Sequence, residues 1–93
     1  MNDKVGYQIV TTATSIQNDG VPVAVYGVNM AHAGSSTSLY NGFVGSGTDV
    51  EVVIATSTIA GETINFPYGI VFPNGCFVDN NDGSCTVLYK AII

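Results

Sequence analysis

Few residues in this chain of 93 could carry chemistry. His32 is the sole histidine, so a histidine pair for a metal is excluded and a catalytic triad has one candidate base. The nearest nucleophiles, Ser35 and Ser36, lie within four residues of it on one short loop. Triad members are recognised by converging from separate elements, and no Gly-x-Ser-x-Gly elbow is present. His32 therefore reads as a surface histidine at a strand end. Asp79-Asn80-Asn81-Asp82-Gly83 gathers carboxylate and amide oxygens, as a calcium loop does. Its glycine is misplaced for an EF-hand and no glutamate closes it, whereas a turn uses the same residues to reach left-handed conformations. Gly42, Gly45 and Gly47 fall in the wrong order for a dinucleotide loop. Asp49 and Glu51, two apart on one strand, read as a solvated face rather than a glycosidase pair. No catalytic, metal or cofactor constellation is assembled, and the chain is read as a non-enzyme.

The cysteines flank the same acidic segment. A two-residue Asn80-Asn81 turn sets Cys76 opposite Cys85, whereas an Asp82-Gly83 turn moves them about two pleats apart. Only the first register favours a disulfide, and two free thiols are the preferred reading because nothing indicates an oxidising compartment.

Composition selects the elements that must position these groups. Val (13), Ile (8) and Thr (9) make up about a third of the chain, and such β-branched side chains favour a pleated surface over a helix. Eleven glycines fall singly along it. The expected elements are a first strand over 5–15 and a long run over 22–33 with Val23, Val25 and Val28 inward, where Gly27 signals a bulge or a close approach by another backbone. A polar loop follows over 34–38, then an Asn41-Gly42 hairpin from Leu39 to Val44. In the strand over 49–56, alternation sets Asp49, Glu51 and Val53 on one face and Val50, Val52 and Ile54 on the core face. Short strands over 63–66 and 70–72, stopped by Pro67 and Pro73, precede a terminal hairpin of 76–79 with 84–92. Seven or eight short antiparallel strands in one domain over 1–93 make an all-β fold, a β-sandwich of jelly-roll type.

The net charge is -5, with Lys+Arg 2 against Asp+Glu 7, which argues against nucleic acid or anionic membrane as partner. No secretory signal or membrane-spanning run is evident, so the chain is read as soluble. The five tyrosines and four phenylalanines sit within strand-like runs, which favours core or interface packing over sugar stacking.

The segment from Phe66 to Asp79, Phe-Pro-Tyr-Gly-Ile-Val-Phe-Pro-Asn-Gly-Cys-Phe-Val-Asp, followed by a polar turn and Thr86-Val87-Leu88-Tyr89, resembles short β proteins of tailed bacteriophages, notably those of cyanobacteria and other aquatic bacteria. The Gly/Ser/Thr-rich stretch from Gly34 to Gly47 is also similar, and together these cover about half the chain. The resemblance implies a virion structural protein, such as a capsid decoration or cement subunit. The expected partners are copies of itself, as a homo-oligomer with a trimer as the expected form, together with the major capsid protein or other virion proteins. The acidic charge suits the capsid exterior, since a lining position would face DNA phosphate; synthesis would be in the host cytoplasm. Edge-strand backbone and the apolar side chains Tyr26, Phe43, Phe72, Ile92 and Ile93 are the expected contacts. The alternative is a host-surface or glycan-binding module, on a tail fibre or free-standing, with Tyr40-Asn41 and Phe77-Asp79 as its best candidates.

Overall fold

The computed structural model describes residues 5–11, 13–17, 20–45, 47, 49–80 and 84–92. Among them are eight strands: β1 (Gly6–Val10), β2 (Ala13–Ser15), β3 (Val23–Met30), β4 (Ser36–Asn41), β5 (Val50–Thr56), β6 (Thr63–Phe72), β7 (Cys76–Asn80) and β8 (Cys85–Ala91). They form two antiparallel four-stranded sheets, ordered β1-β8-β3-β6 and β2-β7-β4-β5. The sheets pack face to face as a β-sandwich, the architecture expected for a chain this rich in β-branched residues. The result is a slab of 34 × 31 × 19 Å.

Alternation along each strand aims one row of side chains between the sheets. From the first sheet come Val10, Val23, Val25, Val28, Met30, Phe72, Cys85 and Val87; from the second, Leu39, Ala55, Cys76 and Val78. Ile16 joins them from the loop after β2, and Ile64, Phe66, Ile70, Val53 and Tyr89 pack on the rim. Burying such side chains contributes roughly 1.5–3 kcal/mol each relative to exposure.

Several local expectations change once pairing is known. The run over 5–15 is two strands in different sheets: β1 pairs with β8 and β2 with β7. The polar stretch 36–38 opens β4 rather than forming a loop, and Asn41-Gly42 ends that strand instead of turning a hairpin. The terminal hairpin is absent: β7 pairs with β2 and β4, β8 with β1 and β3, so the chain crosses between sheets after Asn80. Neither expected register, from a turn at 80–81 or at 82–83, is formed, because β7 and β8 do not pair; residues 81–83 themselves lie outside the described residues.

Two bulges settle which side chains face outward. In β3 the register shifts between Val25 and Gly27, as the glycine suggested, and Tyr26 takes the extra position. Opposite it, β6 carries an excursion, because Val25 pairs with Ile70 but Gly27 pairs with Asn65. Phe66 turns inward, whereas Tyr68 is 98% exposed. Gly69 is left-handed (φ 75°), and a Cβ there would stand 2.9 Å from Tyr26 Cε1, so only glycine lets the excursion close over that ring. In β5 the shift leaves Val52 between Glu51, opposite Tyr40, and Val53, opposite Leu39. This reverses the expected faces: Val53 and Ala55 face the core, and Val50, Val52 and Ile54 are exposed.

Phe72→Ala is expected to cost about 3–5 kcal/mol in urea unfolding, because it empties the largest fully buried side chain, while Tyr68→Ala stays within about 0.5 kcal/mol of wild type.

Candidate functional site

The residues examined for chemistry are dispersed. His32 is exposed in the β3–β4 connection, and its carbonyl accepts a hydrogen bond from Ser57 Oγ. Ser35 is buried, its Oγ accepting from Asn80 Nδ2 at 3.4 Å. The imidazole at the surface and the enclosed hydroxyl do not converge. Asp49 folds back onto its own loop, where one carboxylate oxygen accepts the Val44 and Gly45 N–H groups, each at 2.7 Å. The amides of the glycine-rich segment are thus held by an internal carboxylate, and Asp49 makes no pair with Glu51. Asp79 is exposed while Asn80 is buried, as strand alternation requires. Among the described residues no group of three His, Cys, Asp or Glu is placed to hold a metal ion.

A buried polar cluster closes one end of the sandwich. Asn80 Nδ2 donates to Thr37 Oγ1 at 2.6 Å and to Ser35 Oγ, and the Thr37 hydroxyl donates to Met30 Sδ at 3.1 Å. Nearby, Ser57 and Ser35 exchange backbone and hydroxyl bonds. Polar groups enclosed at low dielectric stabilise the fold only when satisfied, and no described buried side-chain polar atom lacks a partner. The cysteines are free and buried in facing sheets. Burial pushes the Cys76 thiol up to about 12; it also raises Cys85, against which hydrogen bonds with Thr37 and Asn80 work. Thiols so protonated are inert.

The surface that remains is the outer face of each sheet. On the β1-β8-β3-β6 sheet, Tyr7 and Ile9 from β1 stand beside Leu88 and Thr86, and Lys90, Ala24 and Val71 form a row across β8, β3 and β6. Tyr7, Ile9, Tyr68 and Val71 are exposed. Ala24, Tyr26, Val71, Lys90, Ala91 and Ile92 line an open groove of about 290 Å³. Of the contacts expected from sequence, Tyr26 and Ile92 come together there. Phe43 lies exposed in the β4–β5 loop, with its ring edge against Gly20. Phe72 is not a surface residue: it is 0% exposed, because its strand position opposite Val23 aims it into the core. Ile93 lies outside the described residues.

On the second sheet, cross-strand pairing joins the two candidate glycan motifs that the sequence holds far apart. Tyr40 sits opposite Phe77 on one side and Glu51 on the other. The rings meet edge to face, 6.4 Å between centroids and 68° between planes. Ser38, Ile54 and Asp79 form the adjoining row. A Cβ on Gly45 would come within 2.5 Å of the Phe77 ring, so glycine lets the loop cover that ring's far edge. Partial desolvation, then the charge and hydrogen bonding of Glu51, then Asp79, raise the Tyr40 phenol above its ordinary value, with Ser38 opposing. The Tyr40–Phe77–Glu51 row was not legible beforehand, since it depends on the bulge at Val52.

No family model, curated protein or solved structure matches the chain.

Two outcomes follow. Glu51→Gln is expected to lower the Tyr40 phenol toward 10 in a spectroscopic pH titration. The Cys76 thiol is raised in the fold, so it stabilises fully below its unfolded value of 9.0 and that contribution is lost as pH climbs toward about 12. Unfolding free energy should fall there by up to roughly 1.4 kcal/mol per pH unit, with Cys76→Ala showing a flatter slope in urea titrations.

Proposed function

We propose that the chain is a non-enzymatic structural subunit of a phage particle, a decoration or cement protein on the capsid exterior that works through its sheet surfaces. The observation that supports this reading is the outer face of the β1-β8-β3-β6 sheet, where Tyr7 and Ile9 of β1 stand in solvent and Val71 is exposed in the groove lined also by Tyr26, Lys90 and Ile92. Exposed large apolar side chains beside a groove suit a surface on which another protein sits. The phage-like segment from Phe66 to Asp79 contributes to it: Val71 stands on this face, while Phe72 and Val78 from the same segment serve the core. The net charge of -5 suits the outside of a DNA-filled shell.

A second reading, glycan binding, is favoured by the Tyr40–Phe77 pair beside Asp79 and Ser38. It stands second because edge-to-face rings present no coplanar platform for a sugar.

Cryo-electron microscopy of purified particles of a phage encoding this chain is expected to show the sandwich at symmetric positions outside the shell. Particles without its density would sink the structural reading, and binding on a glycan array abolished by Tyr40→Ala would replace it with the second. His32→Ala is expected to leave shell occupancy unchanged, which a quantitative mass-spectrometric copy count checks.

A further inference from the structure

Among the described residues, the charged side chains on the two outer faces of the slab are of opposite sign. On the β1-β8-β3-β6 face the described charged side chain is Lys90, in the row with Ala24 and Val71. The described carboxylates lie elsewhere: Glu51 and Asp79 project from the opposite face, Asp49 is tied to its loop, and Glu62 accepts from the Thr58 N–H at 2.7 Å. The acidic face also offers what an ammonium group needs. Tyr40 lies between Phe77 and Glu51, with Asp79 in the adjoining row, so aromatic ring and carboxylate are available together. Exposed Val52 and Ile54 flank the acidic row, as Val71 and Ile92 flank Lys90.

We infer that a second copy of this chain docks head to tail, the Lys90 face of one molecule on the Tyr40–Phe77–Glu51–Asp79 face of the next. The inference rests on the structural reading above and names self-association as part of it. A 34 × 31 Å face is large enough for the roughly 800 Å² per partner that a standard interface buries. Apolar contact supplies most of the affinity; the charges set direction and register, because two acidic faces or two Lys90 faces repel. The faces lie on opposite sides of a slab 19 Å thick, so the contact propagates along the slab normal as an open stack.

Sedimentation velocity on the full chain over a concentration series, at low and high salt, tests this. Wild type should form a concentration-dependent, salt-weakened series of oligomers. Lys90→Glu and the double variant Glu51→Lys/Asp79→Lys should each weaken association about tenfold. Their mixture should restore it, because each supplies the face that the other has lost. Lys90→Met keeps the aliphatic stem and should weaken association less than Lys90→Glu; near-UV circular dichroism checks that each variant is folded. Net charge alone predicts otherwise for the double variant, which moves from -5 to -1 and should then associate better. The inference is overturned by a monomeric wild type at millimolar concentration, by a closed trimer, by a double variant that associates as well as wild type, or by a mixture that restores nothing. Each of these leaves the particle test above to be decided separately, as does its success.

Discussion

A sandwich of two four-stranded sheets buries one face of each sheet, and everything else in this molecule follows from that limit. The slab is 19 Å thick, room for one layer of side chains from each sheet. Phe72, Leu39, Met30 and the buried valines fill that layer. The chain holds more aliphatic and aromatic residues than the layer accepts, so Ile9, Val50, Ile54, Val71 and Tyr68 are left outside. Lone exposed apolar residues are ordinary. Here they gather in rows, because strand alternation repeats the same face along neighbouring strands.

The chain also interlocks its sheets. Only β4 and β5 are consecutive strands paired with each other; every other connection passes from one sheet to the other. Pairing is therefore largely non-local, which requires costly loop closure before contacts form and favours slow folding. The Asn80–Thr37–Ser35 cluster lies where such crossings converge, in the turn region before β4 and at the end of β7. Its hydrogen bonds are directional where aliphatic contacts are not, and a displaced register would leave a buried amide or hydroxyl unpaired at about 1–3 kcal/mol. This cluster is well suited to holding one alignment of the two sheets.

What was readable in the sequence is what depends on a single strand. β-branched abundance signalled the all-β class and strand spacing the sandwich, Val23, Val25 and Val28 read as inward, and Gly27 marked a bulge or a close backbone approach. What was unreadable depends on a partner strand. The bulge at Val52 exists only in the pairing of β5 with β4, and it turned the expected core face of β5 outward. The serines and threonine of 36–38 look like a loop until Asn80 satisfies Thr37 inside the core. The segment from Asp79 to Gly83 carries a hairpin's residues, but β7 and β8 belong to different sheets, and residue types alone do not say which strand comes next in space. Phe72 was misplaced for the same reason, since only the match of Val23 with Phe72 decides its side. On the candidate surface, Tyr40 and Phe77 were each noticed, but their contact is a matter of register.

Edges and faces compete as routes of association, and the edges here are poor. A usable edge strand is long, flat and regular. β2 has three residues and β1 five; β6 is broken by Pro67 and its outward excursion; β5 is kinked at Val52. Each departure removes consecutive N–H and C=O groups from the straight row that a visiting strand must match. The sequence-based expectation of edge-strand contacts thus fits this sandwich less well than contact through its faces. Broad apolar faces beside blunted edges favour partners that lie flat on the sheets over partners that extend them, and that preference guards against the runaway β-pairing to which a weakly charged, valine-rich chain would otherwise be prone.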